Sequence, residues 1–309
     1  MRERRTGKLT ESVVLDLFFG LSAALTYPPI NPFVFSVEIA GAQVGLRWYA
    51  VAYMAGLILG WRYMVGLTRR PDLWSPAPGA TAPLTAVQVD DFLVWATLGV
   101  VVGGRLGHVF FYQPEILTRD PLAALRIWEG GMSFHGGLIG VVLAVLWMSR
   151  SGKIRLSALA DAVAVATPIG LGLGRIANFI NAELYGRASD VAWAMRFPIY
   201  DAHYQVIGYT EPRHPSQLYQ AALEGLVLFL ALRLASHRFK ALQRPWLCTG
   251  IFLSGYALVR TAAELVRQPD PGLDALPLGL TMGMILSAPM LAIGLWLIVR
   301  ALKRPPLAA

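Results

Sequence analysis

Between Gly172 and Arg187 the sequence reads GLGRIANFINAELYGR, overlapping the end of LADAVAVATPIGLGLG, an apolar run that reads as a membrane helix. Arg175, Asn178, Asn181, Glu183 and Arg187 therefore fall where the chain is still near lipid. A helix leaving a bilayer uses one or two interfacial anchors. Five strong hydrogen-bonding groups exceed that need and point to binding. Arginine presents a planar fork that grips phosphate at two points, which lysine does not. The chemistry expected is recognition of an anionic group at a membrane boundary.

Three further clusters have the same character, and ionisable groups inside apolar helices are functional hypotheses by default. In GYALVRTAAELVRQPD, Tyr256, Arg260, Glu264 and Arg267 are spaced four, four and three apart. At helical periodicity they stay within a fan of about 80°, so Arg260 and Glu264 can pair. In GGRLGHVFFY, Arg105, His108 and Tyr112 share a helix face. Glycines Gly103, Gly104 and Gly107 admit a close neighbour. In MSFHGGLIG, His135 is either a general base or a hydrogen-bonded structural histidine. HPSQLYQ opens another helix, with Pro215 and Ser216 suited to its first turn. Glu224, one turn beyond, has no assigned role.

Familiar catalytic signatures are absent: no HExxH, no P-loop and no GxSxG elbow. The single cysteine, Cys248, excludes an intramolecular disulfide and argues against a thiolate metal cluster. It lies about 18 Å of helix rise from Arg260 and cannot act with it.

The elements that must hold these groups are membrane helices. Of 309 residues, 55% are hydrophobic and only 15% charged, well below the charge of a soluble domain. The expectation is an all-α polytopic membrane protein with about seven transmembrane helices, not a barrel of alternating strands. The spans run roughly over 42–65, 89–112, 131–148, 156–180, 216–234, 246–266 and 278–299. Residues 28–309 form one transmembrane unit, with 181–215 as a small ordered extracytoplasmic head. Residues 1–27 read as an amphipathic helix on the membrane or a signal-like segment.

The net charge of +8 does not mark nucleic-acid binding, because the basic residues punctuate apolar segments. One set of connectors holds Arg62, Arg69 and Arg70; Arg150, Lys153 and Arg155; Arg238, Lys240 and Arg244; and Arg300, Lys303 and Arg304. By the positive-inside rule these face the cytoplasm, so the first span starts outside and the C-terminus lies inside. Past the N-terminal tail, the other side carries arginines and no lysine: Arg47, Arg105, Arg119, Arg126, Arg175, Arg187, Arg196, Arg213, Arg260 and Arg267.

In this order, and from about Pro28 onward, the clusters resemble the prolipoprotein diacylglyceryl transferase family. GRIANFINAELYGR is similar to the family signature Gly-Arg-x-x-Asn-Phe-x-Asn-x-Glu-x-x-Gly-Arg. HGGLIG, GRLG, HPSQLY and the Arg260–Glu264–Arg267 run match in sequence order. The resemblance implies an enzyme of the bacterial inner membrane that uses no metal or organic cofactor. It implies transfer of a diacylglyceryl group from phosphatidylglycerol to the lipobox cysteine of a preprolipoprotein, the first step of lipoprotein maturation. The products implied are a thioether-linked prolipoprotein and glycerol 1-phosphate.

The functional residues implied by motif position are Tyr49, His135, Arg175, Asn178, Glu183, Gly186, Tyr256, Arg260 and Glu264. His135, Arg175 and Arg260 are expected to be catalytic; the others, with Arg105, are expected to bind substrate. Ala177 and Ala182 stand where the family has glycine, His108 where it commonly has tyrosine, and Gln220 where it generally has glutamate. Both substrates reach the bundle sideways from the bilayer, which leads us to expect gaps near Gly104 and Gly174. An anion transporter would instead line the bundle with polar groups through its whole depth. A noncatalytic lipid-binding scaffold would need the arginines but not the base.

Overall fold

The computed structural model describes residues 24–39, 42–127, 130–152, 154–201, 204–268 and 280–305. Residues 1–23, the bulk of the amphipathic or signal-like segment, lie outside the described residues, as do Trp128, Lys153 and Asp270.

Among the described residues, seven long helices make up the bundle: α1 (Trp48–Thr68), α2 (Ala86–Tyr112), α3 (Phe134–Ser151), α4 (Leu156–Ile180), α5 (Ser216–His237), α6 (Leu247–Glu264) and α7 (Met282–Lys303). All but α6 are long and apolar enough to cross a membrane. Helix α6 packs along α7 and against α4, yet it is less apolar and carries Arg260 and Glu264 near its end. Six helices, not seven, therefore qualify as spans by length and composition.

Local signals explain the helix starts. Thr85 and Gln88 form a reciprocal capping box at α2, with bonds of 3.2 and 2.8 Å. Ser133 caps α3 and Thr281 caps α7 through their side-chain oxygens. Helix α6 is capped from outside itself. The buried Asp161 on α4 accepts from the Trp246 and Thr249 amides and the Thr249 hydroxyl, each at 2.7 Å. A membrane carboxylate is thus matched to the positive end of a helix.

Glycine sets the closest helix contacts. A Cβ on Gly136 would lie 2.1 Å from the Gly103 carbonyl oxygen, so α2 and α3 meet backbone to backbone. Helix α4 is central, packing against α1, α3, α5 and α6. It crosses α5 at Gly172 and Gly225, where a Cβ on Gly225 would sit 2.5 Å from the Gly172 Cα. Residues Ala221–Val227 of α5 form a π-helical turn at this crossing. The extra residue of a π turn rotates the side chains beyond it, and such turns recur at functional sites.

The apolar core lies toward the end of the bundle where α2 starts and α5 ends, around Leu67, Leu73, Trp74, Leu159, Leu232 and Cys248. A second cluster of Tyr27, Ala182, Met195 and Phe197 sits at the opposite end, in the head. There β1 (Leu25–Thr26) pairs parallel with β4 (Met195–Arg196). The hairpin of β2 (Phe33–Ile39) and β3 (Ala42–Arg47), and that of β5 (Pro198–Tyr200) and β6 (Val206–Tyr209), complete the strands. Arg47 lies over the rings of Phe33 and Tyr204, at 5.3 and 4.7 Å, tying the first hairpin to the second.

The first expected span consequently starts too early. Residues 42–47 are strand, because they pair with Phe33–Ile39 before the helix begins at Trp48. The other six expected spans fall within a few residues of α2 to α7.

Candidate active site

The helices alternate in direction, so the starts of α1, α3, α5 and α7 meet the ends of α2, α4 and α6 at the head. Each sequence-predicted site residue lies at this end of its element. Arg175 and Asn178 stand on the last turns of α4, Tyr256, Arg260 and Glu264 on α6, Tyr49 on α1, His135 on α3 and Arg105 on α2.

The centre is built from arginines held by buried carboxylates. Glu224, on the π turn, is fully buried, and its Oε2 accepts from Arg175 Nε at 3.0 Å. Glu264 is 1% exposed; its Oε1 lies 2.6 Å from Arg260 Nη2 and 3.5 Å from Arg267 Nη1. A Cβ on Gly283 would strike the Glu264 carboxyl carbon at 2.6 Å, so α7 must present glycine there. Tyr256, one turn before Arg260 on α6, lies within electrostatic reach of Glu224, Arg175 and Arg260. Tyr49 stacks on Tyr53 with ring centroids 5.3 Å apart and lies within electrostatic reach of Arg175 and Glu183.

Arg260 is not fully used. Arg175 is anchored to Glu224 through Nε, and Arg260 to Glu264 through Nη2, while Arg260 Nη1 is buried without a hydrogen-bond partner among the described residues. Buried donors are rarely left unmatched, so a site that keeps one is built to meet an acceptor. A guanidinium fixed along one edge and open along the other suits an incoming phosphate oxygen.

The signature segment forms the rim. Asn178 and Asn181 donate to Glu183 Oε1 at 2.9 and 3.3 Å. The Glu183 amide caps α4 by donating to Asn178 O, and its own carbonyl accepts from Gln217 at 2.7 Å. Ala182 and Leu184 both take left-handed backbone, φ 52° and 55°. Glycine adopts this backbone region at no steric cost, so alanine at 182 and leucine at 184 hold it under strain. Gly186 donates to the His214 carbonyl, and a Cβ on it would lie 2.5 Å from the Val266 carbonyl oxygen. Beside it, Arg187 donates through its amide to Val266 and through Nε to the Arg267 carbonyl, at 2.8 and 3.0 Å. The close approach at Gly186 thus stitches the rim to the end of α6.

Arg105 and His135 stand apart from this centre. Arg105 is 5% exposed, and its guanidinium donates to the carbonyls of Ala123, Ala124, Gly130 and Gly131. It latches the α2–α3 connector. His135 is exposed at the second position of α3, edge-on to Phe134. Among the described residues, no hydrogen bond or ion pair joins His135 to the arginines. Of the two glycines expected to border gaps, Gly104 faces Met132, while a Cβ on Gly174 would meet nothing within 4 Å.

Sequence reasoning left Glu224 without a role, although a carboxylate in an apolar helix is signal enough to ask for one. It also missed Tyr27, whose hydroxyl donates to the carbonyls of Phe179 and Ile180 at the end of α4. Ser216 does not cap α5; its hydroxyl donates to the Leu184 carbonyl.

The family model for prolipoprotein diacylglyceryl transferase matches residues 36–300. The chain belongs to this family. It is 50% identical over 291 residues to the phosphatidylglycerol–prolipoprotein diacylglyceryl transferase of Phenylobacterium zucineum, covering 92% of this chain and 98% of that one. With the enzyme of the same name from Allorhizobium ampelinum it shares 49% over 282 residues, 91% of this chain and 93% of that one. With that of Caulobacter vibrioides it shares 48% over 295 residues, 91% and 96%. As a prolipoprotein diacylglyceryl transferase family member, the chain is a multi-pass protein of a bacterial membrane, and the cluster around Arg175 and Arg260 is its candidate active site.

Proposed function

We propose that the chain transfers the diacylglyceryl group of phosphatidylglycerol to the lipobox cysteine thiol of preprolipoproteins, releasing glycerol 1-phosphate. The single observation that carries the residue assignment is the pair of arginines, each anchored by a buried carboxylate. The reaction needs such a pair. The thiolate sulfur attacks the terminal glyceryl carbon and a carbon–sulfur bond forms. The carbon–oxygen bond to phosphate breaks, and its electron pair leaves on the phosphate oxygen. Charge on the departing phosphate grows during this step, and fixed guanidinium groups in a water-poor site stabilise it.

In this reading Arg175 and Arg260 hold the phosphate. Asn178 and Glu183 order the glycerol headgroup, Tyr49 and Tyr256 line the space between, and Gly186 lets the rim close on α6. Glu264 and Glu224 keep the arginines in place. His135 takes the thiol proton; its exposure on α3 suits a peptide that arrives sideways from the bilayer. The proposed steps require no metal, organic cofactor or nucleic acid. The head faces away from the cytoplasm, the start of α1 lies outside and the C-terminus inside.

The test is glycerol phosphate release by the purified protein given phosphatidylglycerol and a lipobox peptide. Release is expected from the wild type, and His135→Gln is expected to lose about 10²-fold or more in rate. Normal release by His135→Gln would remove histidine as the base. No release by a folded wild type would favour a lipid-binding scaffold.

A further inference from the structure

Away from the arginine centre, a groove of about 700 Å³ opens between α1, α4 and α5. Its wall is apolar for most of its length, through Leu59, Ile169, Leu173, Leu226 and Phe229. The end remote from Arg175 is basic, with Arg62, Arg70, Arg233 and His237. Arg70 is engaged by Asp72, at 2.9 and 3.0 Å, and Asp72 also holds Lys240 at 2.6 Å. Arg62 and Arg233 are exposed, and neither pairs with a carboxylate among the described residues. Tyr63 places its ring edge-on to Phe229 and its hydroxyl beside Arg233.

We propose that this groove binds an anionic phospholipid of the leaflet opposite the reaction site. One acyl chain lies along the wall toward Ile176, and the phosphate sits between Arg62 and Arg233. An apolar channel alone would accept any acyl chain; unpaired guanidinium groups at its mouth select a headgroup with net negative charge. The dimensions agree. From Ala221 to His237 the α5 wall rises about 24 Å, against about 15 Å of hydrocarbon in one leaflet, so the groove runs from headgroup level past the mid-bilayer and is long enough for a whole acyl chain. A soluble anion would gain nothing from the apolar wall.

The position of the groove gives this lipid a consequence. Ala221 and Gly225 of the π turn line it, and Glu224 between them grips Arg175 from the other face. A chain packed in the groove supports the turn that holds Arg175.

The test is native mass spectrometry of the full-length protein with phosphatidylserine or phosphatidylcholine, neither being the proposed substrate. The wild type is expected to retain phosphatidylserine roughly tenfold better than phosphatidylcholine. Arg62→Gln with Arg233→Gln is expected to bring the two lipids near parity. Gly66→Phe keeps both cations but projects a ring into the groove, where a Cβ on Gly66 meets no atom within 4 Å. It is expected to reduce retention of both lipids. Arg260→Ala, at the other end of the bundle, leaves the preference intact. A preference unchanged by the double substitution, or lost only in Arg260→Ala, would assign the lipid elsewhere and overturn the proposal. Equal retention of both lipids by the wild type would overturn it as well.

Discussion

Two arginines near the same end of the bundle, one buried and one part-buried, have opposite surroundings. Arg105 on α2 is saturated: its donors meet four backbone carbonyls of the connector that leads into α3. Arg260 on α6 meets one carboxylate and, among the described residues, keeps Nη1 buried without a partner. Both positions carry the signature of function at the sequence level, a charge inside an apolar helix. The difference lies in what the guanidinium has left to give. A saturated arginine can position a loop; only an arginine with donors to spare can take up a phosphate that arrives and departs.

The strongest way to break this contrast is to remove each arginine in turn. Arg175→Ala and Arg260→Ala should each lower kcat by about 10²–10³-fold or more, the loss typical of a donor that stabilises transition-state charge. Arg105→Ala should leave the rate per folded molecule within several-fold and appear instead as a lower Tm. It strands four carbonyls, and unmatched buried groups destabilise a fold. Equal rate losses at positions 105 and 260, with unchanged Tm, would erase the distinction.

A sharper probe acts on the anchor. Glu224→Gln keeps the shape of the π turn but removes the charge that holds Arg175 Nε at 3.0 Å. The rate should fall roughly tenfold to a hundredfold as the guanidinium loses its fixed position, because misplacing a catalytic group by an ångström carries a cost of that order. An unchanged rate would show that Arg175 is positioned by something other than Glu224. The smallest effect belongs to the far end. Arg70 and Lys240 hold the Asp72 carboxyl well below the usual carboxylate range, so this exposed pairing is intact at neutral pH. The pairing is solvent-exposed and lies at the far end of the bundle from Arg175 and Arg260, so Asp72→Asn should not change activity near pH 7.

The contrast also marks how far sequence could go. Helix periodicity and long apolar runs located α2 to α7, and the motif GRIANFINAELYGR located the rim, because hydrophobic pattern and polar excess are local properties. The start of α1 was not legible. Residues 42–47 are apolar enough to extend a helix, and only pairing with Phe33–Ile39 makes them strand. Arg105 and Arg260 could not be told apart for a similar reason. The carbonyls that saturate Arg105 lie 18 to 26 positions away, in a connector with no regular pattern. Glu224 was visible as an intramembrane charge, but its partner Arg175 is 49 positions away and is reached through the α4–α5 crossing at Gly172 and Gly225.

The most direct measurement is the single-turnover rate of glycerol phosphate release by Arg260→Lys with phosphatidylglycerol and a lipobox peptide. Lysine can pair with Glu264 but lacks a second fixed edge for phosphate. The account predicts a rate near that of Arg260→Ala with the fold intact. A rate within a few-fold of the wild type would contradict it, since charge alone, without the forked geometry, would then suffice.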